Sequence, residues 1–326
     1  MNEYIINIGD LLNVKVYAFE KVYDDLLKRF SGIKISECVC DFEIFYRNFQ
    51  MIQSVKSGIL MKPFRNALYL VIEQEDKIIA YSPAQTYSSE NIIERINKKI
   101  TISCQEDNNS KVLIRVITEL LIRKLLSKGY FPLHASCIMK DNKAILFLGK
   151  KGSGKSTALF ANVLLNDAYP ISNDITFVGK ENGKWQAFGL PYDLTFDSTL
   201  FLQIAQETKK FKSFHEEDRY GSNKIRYDVA DFITDFNTRW VWHAPIAAIN
   251  IVNLTKENEY TIFSNIKFED ALLNLNRYGK DNNFDFDDYL KINNLYPSFN
   301  YESLSREIPF NKIEGNVLRY YLKRSQ

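Results

Sequence analysis

Short apolar runs separated by polar turns dominate the first third of the chain. IINIG, VKVYAF, ALYLVIE, KIIAYSP and ITISC are rich in β-branched and aromatic side chains, which suit a pleated, half-buried strand. Residues 1–108 are therefore expected to be a mostly β region. The period then changes. After the polar stretch 107–110, Val112, Val116, Ile117, Leu120, Leu121 and Leu125 recur at helical spacing, and Gly129 follows as a stop. This predicts a helix over 111–128 and a domain boundary at 108/109, with 109–326 as the second domain.

Beyond that helix, FPLHASCIM and AILFLG flank the polar turn KDNK and predict a β-hairpin, whose second strand runs into GKKGSGKS and then the helical STALFANVLL. ISNDITFV and KWQAFGL meet at Glu181-Asn182-Gly183, where Asn-Gly favours a hairpin because both positions tolerate positive φ. Hairpins on both sides of the glycine loop argue against a plain doubly wound parallel sheet, in which a helix follows each strand. The expected class is α/β with an α+β tendency, built on a mixed sheet. Further on, 224–232 (KIRYDVADF) and 245–254 (PIAAINIVNL) read as strands, and 267–279 (KFEDALLNLNRYG) as an amphipathic helix ending at Gly279. In DNNFDFDD, Asp281, Asn283 and Asp285 occupy calcium-loop positions, but Phe286 and Ile292 replace the required Gly and Glu, leaving a solvated loop.

Composition narrows the function. Of 326 residues, 42 are Lys or Arg and 40 Asp or Glu, a net charge of +2, so no overall field favours nucleic acid or an anionic membrane. With no signal-like start and no apolar run long enough to span a bilayer, the protein is expected to be cytoplasmic. Cys38, Cys40, Cys104 and Cys137 are too few for a disulfide framework, and with only His134, His215 and His243 beside them they read as small buried hydrophobes rather than metal ligands. Glycine is scarce, 13 in all, yet Gly149, Gly152 and Gly154 cluster.

Gly149–Ser156 satisfies Gly, four residues, Gly, Lys, Ser or Thr, between a predicted strand and a predicted helix. Phosphate chemistry needs this pattern: glycines let successive N–H groups turn inward around phosphate oxygens, and the helix start adds unsatisfied donors and a positive dipole end. Gly149, Gly152, Ser153, Gly154, Lys155, Ser156 and Thr157 are the candidate nucleotide-binding residues. Lys155 would neutralise the outer phosphates and Ser156 would hold Mg²⁺. The Leu-Ser-Gly-Gly-Gln signature of ATP-binding cassettes and the Asn-Lys-x-Asp base motif of small GTPases are both missing from the sequence.

His134 precedes the loop and Asn173-Asp174 follow it, in strands that could lie side by side. With them the sequence resembles a known family. LHAS at 133–136, GKKGSGKST at 149–157 and ISND at 171–174 look like the core of the HPr serine kinase/phosphorylase group, related in fold to phosphoenolpyruvate carboxykinases and including kinases encoded with peptide-modification systems. The resemblance covers about residues 111–265. It implies ATP and Mg²⁺ as cofactors and a Ser or Thr hydroxyl of a protein or peptide as acceptor, with a homo-oligomer left open. It assigns His134, Asp174 and Lys155 as catalytic, and Ser156 and Asp174 to the metal. Asn173 departs from the family's pair of aspartates, and an amide can orient a hydroxyl but cannot take its proton. The base is then Asp174 or His134, or the chain binds nucleotide as a regulatory or scaffold protein without catalysis. A free small-molecule acceptor is not separable from a peptide by sequence. Lys224 and Arg226 could clamp phosphate or sit on a solvated strand face, and Trp240, Trp242 and His243 read as core or domain contact rather than a base-stacking platform.

Overall fold

A computed structural model of the chain describes residues 1–30, 34–35, 39–48, 58–61, 68–83, 90–104, 110–197, 224–255, 261–279, 288–292 and 300–316. Contacts divide the chain into two compact units, 1–128 with 282–297, and 129–281 with 298–326. The helix expected to open the second domain therefore falls in the first unit. The boundary lies at 128/129, where the sequence placed it at 108/109, and a downstream segment returns to the first unit. Among the described residues no helix is long and apolar enough to cross a membrane.

The first unit is built on a nine-stranded mixed sheet, as the alternating runs predict. Its strands are β1 (Asn2–Ile8), β2 (Leu12–Ala18), β3 (Lys34–Ile35), β4 (Phe42–Asn48), β5 (Ile59–Met61), β6 (Tyr69–Glu73), β7 (Lys77–Ser82), β8 (Asn91–Ile96) and β9 (Lys99–Cys104), in the spatial order β3-β1-β2-β4-β9-β8-β7-β6-β5. Strands β2, β4 and β9 pair in parallel. On β2, Leu12, Val14, Val16 and Ala18 are fully buried and the residues between them are not, the period-2 signature of one covered face. The sequence did not anticipate helix α1 (Glu20–Arg29), which buries Val22, Tyr23 and Leu26.

Helix α2 (Ser110–Ser127) follows β9 and packs against α1 and β2. Polar contacts also hold it there. Ser110 Oγ donates to Asp25 Oδ2 at 2.7 Å, and Lys124 Nζ to Asp41 Oδ1 at 2.7 Å. These are the physical reasons the helix belongs with the first unit.

In the second unit the order is β10 (Phe131–Leu133), β11 (Ala135–Lys140), β12 (Lys143–Leu148), α3 (Lys155–Leu165), β13 (Tyr169–Ser172), β14 (Thr176–Glu181), β15 (Lys184–Gly189), β16 (Leu194–Asp197), β17 (Lys224–Tyr227), α4 (Val229–Asp235), β18 (His243–Thr255), β19 (Thr261–Asn265), α5 (Phe268–Asn274), a π-helical turn (Leu275–Gly279), α6 (Tyr301–Glu307) and β20 (Phe310–Asn316). The main sheet runs β10-β14-β15-β18-β12-β11-β13, with β20 beside β18 and β19 beside β20. Both predicted hairpins form, turning at Asp141-Asn142 and at Asn182-Gly183, all four with positive φ. The sheet is mixed, since β18 runs parallel to β12 and β20 and antiparallel to β15.

Two boundaries differ from the sequence reading. The strand expected over 224–232 stops at Tyr227, because the Asp228 side chain accepts the Ala230 N–H at 2.8 Å and starts α4. The helix expected over 267–279 passes into the π-helical turn after Asn274. Residues 281–287 of the acidic stretch, and Cys38, lie outside the described residues. Cys104 and Cys137 are buried as expected, Cys40 only partly so.

Candidate functional site

Strand register alone gathers the three motifs. Ala135 on β11 pairs with Leu148 on β12, so one step outward His134 lies across from Gly149, where the glycine loop begins. Cys137 pairs with Ser172 of β13, and Leu133 of β10 pairs with Thr176 of β14. Both pairs belong to one antiparallel alignment, interrupted between them at His134–Ser136 and Asn173–Ile175. Asn173 and Asp174 therefore fall in this interruption rather than at the start of the next strand, as the sequence suggested.

Hydroxyl groups replace the missing ladder bonds. Thr176 Oγ1 donates to the Ala135 carbonyl at 2.9 Å, Ser172 Oγ reaches the same oxygen at 3.4 Å, and the two hydroxyls are 2.5 Å apart. The His134 backbone N–H goes to the Gly279 carbonyl at 3.1 Å. A buried backbone group needs a partner, and here side chains and a neighbouring turn supply it, leaving both strands to splay. The splay brings His134 Nε2 within 3.3 Å of Asp174 Oδ1, with side chains 24% and 55% exposed. Asn173, between Ser172 and Asp174, is only 6% exposed, and its Oδ1 has no partner among the described residues.

The glycine loop is fastened twice where it enters α3. Ser136 Oγ donates to the Lys155 carbonyl at 2.8 Å, tying the interrupted strand to the first turn of α3. Leu254 on β18 donates its N–H to the Ser153 carbonyl at 2.9 Å. Gly154 has φ +93°, and a Cβ there would sit 2.9 Å from Leu254 Cβ, so two constraints demand glycine. A Cβ on Gly149 would lie 2.5 Å from the Val252 carbonyl oxygen. Lys155, itself buried, donates from Nζ to the Gly149 and Lys150 carbonyls at 2.9 and 3.2 Å. No side chain caps α3, whose N-cap is Gly154. Its first-turn N–H groups and dipole are thus the kind of donor set that suits an anion.

His134 and Asp174 are in contact, Lys155 is bonded to the Gly149–Lys150 backbone, and register sets His134 across from Gly149. Ser156 and Thr157 are half-buried in the first turn of α3. Lys224 and Arg226 lie on β17, but their side chains are outside the described residues. Trp240 is buried, and the Trp242 ring lies 5.9 Å from that of Phe188, consistent with core contact. The sequence reading gave no role to Ser172, Thr176 and Gly279, which bond the backbone at the interruption, or to Ser136, which ties it to α3. Hydroxyl residues on both sides of it were the available signal, but nothing local said their partner was a strand distant in sequence. Burial pushes the Cys137 thiol well above its usual range, as befits a side chain used for packing.

No protein-family model matches the chain. No curated protein matches it either. Among solved structures, the chain is similar to the HPr(Ser) kinase/phosphatase from Coxiella burnetii, with 11% sequence identity and a TM-score of 0.29, over 60% of this chain and 91% of that one. A score that low supports no inference about this chain.

Proposed function

We propose that the chain is a nucleoside-triphosphate-dependent kinase, of the HPr serine kinase type, that transfers the γ-phosphoryl group to a Ser or Thr hydroxyl of a protein or peptide. The observation that supports this reading is the His134–Asp174 contact, with strand register setting His134 across from Gly149, where the glycine loop starts. Loop amides and the uncapped start of α3 supply donors for phosphate oxygens, and Lys155 supplies positive charge where it builds up on the transferred group. The residues also suit Mg²⁺. A serine hydroxyl at Ser156 and an exposed carboxylate at Asp174 are hard oxygen ligands, and Mg²⁺ characteristically takes one or two from protein and the rest from phosphate and water. When bound, the ion would neutralise phosphate charge.

The acceptor hydroxyl needs alignment and a place for its proton. Asp174, in contact with His134, offers both, with the imidazole orienting the carboxylate or sharing the proton. Replacing Lys155 with Ala should lower transfer of labelled γ-phosphate to a pool of candidate protein and peptide acceptors by about a hundredfold or more. Retained turnover in that variant would remove the reading.

One observation favours a second reading. Asn173 is buried, and its amide cannot serve as base. A nucleotide-binding protein without transfer would show binding of Mg²⁺·ATP by calorimetry and no ADP or phosphorylated acceptor over hours, whereas the kinase forms both.

A further inference from the structure

The first unit encloses a piece of chain that comes from far downstream. Asp288 to Ile292 lies within the segment grouped with residues 1–128, and Tyr289 and Leu290 are each 1% exposed. The segment closes on itself as a tight turn, with the Lys291 N–H on the Asp288 carbonyl at 3.0 Å and Lys291 at φ +50°.

Four consecutive residues are each met by a different kind of group. Asp288 Oδ1 lies 3.8 Å from Arg123 Nε of α2. The Tyr289 ring stacks on Tyr69 of β6, with centroids 4.7 Å apart and planes 11° from parallel. Arg95 of β8 donates from one guanidinium nitrogen to the carbonyls of both Leu290 and Lys291, at 2.5 and 2.6 Å. Lys291 Nζ lies 3.7 Å from Glu73 Oε2 of β6. Tyr69 is held in turn by Arg115 and Asn91, at 3.2 and 3.3 Å.

A strap that served only to fill a core would need apolar contact and partners for its buried backbone groups, with no call for ion pairs at the side chains on either side. This slot sets a buried ion pair at Asp288, a part-buried guanidinium on two main-chain carbonyls and a solvent-facing ion pair at Lys291, an arrangement that contributes specificity more than stability. Charge-assisted bonds to backbone carbonyls, a ring against a ring, and an opposite charge for each charged side chain are means by which proteins read short peptide segments.

We propose that this slot is a peptide-recognition site, occupied in cis by Asp288–Lys291, which binds in trans a turn-forming segment of a partner protein with acidic, aromatic, aliphatic and basic side chains in that order. The proposal does not depend on the phosphate chemistry of the second unit. The chain's own segment acts as a latch that a partner displaces.

The test uses the full chain and a fluorescein-labelled peptide, Asp-Tyr-Leu-Lys-Ile. In the variant Tyr289→Ala/Leu290→Ala the slot should be vacated, and the peptide should bind at least about tenfold more tightly than to the unaltered chain, where the cis segment competes at millimolar effective concentration. Adding Arg95→Ala should weaken that binding about tenfold. Absence of binding to the folded double variant, equal binding to both chains, or indifference to Arg95→Ala would overturn the proposal. Hydrogen exchange on the unaltered chain gives a second measurement, should the double variant fail to fold. A latch opens locally, so the amides of 289–291 should exchange at least about tenfold faster than those of β8 and β9. Exchange only in step with those strands would also overturn it.

Discussion

Glycine at position 189 is fixed by what lies against it. It ends β15, its N–H bonds the Trp242 carbonyl at 2.9 Å, and a Cβ there would lie 1.7 Å from the Ile171 carbonyl oxygen and 2.4 Å from the carbonyl carbon, both backbone atoms of β13. No side-chain rotation relieves such a contact. Gly183 differs, since it needs only positive φ, +76°, and a Cβ would meet nothing within 4 Å. Gly183→Ala should therefore cost about 1 kcal/mol, from the left-handed conformation alone. Gly189→Ala should cost about 3 kcal/mol or more, from forced separation of two strands. Urea unfolding of the two variants checks the ordering, and a smaller loss at Gly189 would contradict the close approach. From sequence, the Asn-Gly pair announced Gly183 because turn chemistry is local. Gly189 gave no such sign, because the strand that crowds it is a separate element.

At the scale of elements, the interruption shared by β10–β11 and β13–β14 decides the site, and the hydroxyls of Ser172 and Thr176 decide the interruption. Both address one carbonyl, that of Ala135. Replacing both with Ala would leave that buried oxygen short of partners, at a cost of about 1–3 kcal/mol, and would loosen the alignment of His134 with Asp174. Ser172→Ala/Thr176→Ala should lose phosphoryl transfer by a larger factor than it loses nucleotide affinity, since the loop is fastened separately through Ser136 and Leu254. Equal losses in both would assign the hydroxyls to the fold alone. Much of this layer is legible in the chain: the strands on both sides of the loop, the hairpins at Asp141-Asn142 and Asn182-Gly183, and the strand-to-helix turn at Gly149–Ser156 all follow from local period and turn residues. The pause in the strands is not. Ser, Asn, Asp and Thr read equally well as a strand end or a turn, and only pairing with residues 133–137 shows that one alignment resumes beyond the gap. The shift from strand to helix at Asp228 was hidden for a related reason: a capping aspartate inside an alternating pattern keeps the period while changing the element.

The division of the whole molecule was the least legible level, because a segment's preference for one core over another depends on contacts made across more than a hundred residues. Helix α2 follows a clear change of period at 108–110, yet Asp25 and Asp41 draw it to the first unit. That division has a spectroscopic consequence. All three tryptophans, Trp185, Trp240 and Trp242, belong to the unit that carries the glycine loop, so tryptophan emission reports on that unit. A ligand that binds only the folded form stabilises it by about 2.7 kcal/mol at a hundred times its Kd. For a unit of this size, that moves a thermal midpoint by about 5–10 °C. Mg²⁺·ATP should therefore raise the melting midpoint followed by tryptophan emission by that amount, and Lys155→Ala should reduce the shift, because it removes the buried ammonium now held on the Gly149 and Lys150 carbonyls of the loop. The peptide Asp-Tyr-Leu-Lys-Ile acts on the tryptophan-free unit, so in the Tyr289→Ala/Leu290→Ala chain it should protect the amides of β6–β8 from exchange. A midpoint unmoved by Mg²⁺·ATP would count against phosphate binding at the loop while leaving the slot untouched, and loss of peptide protection would do the converse.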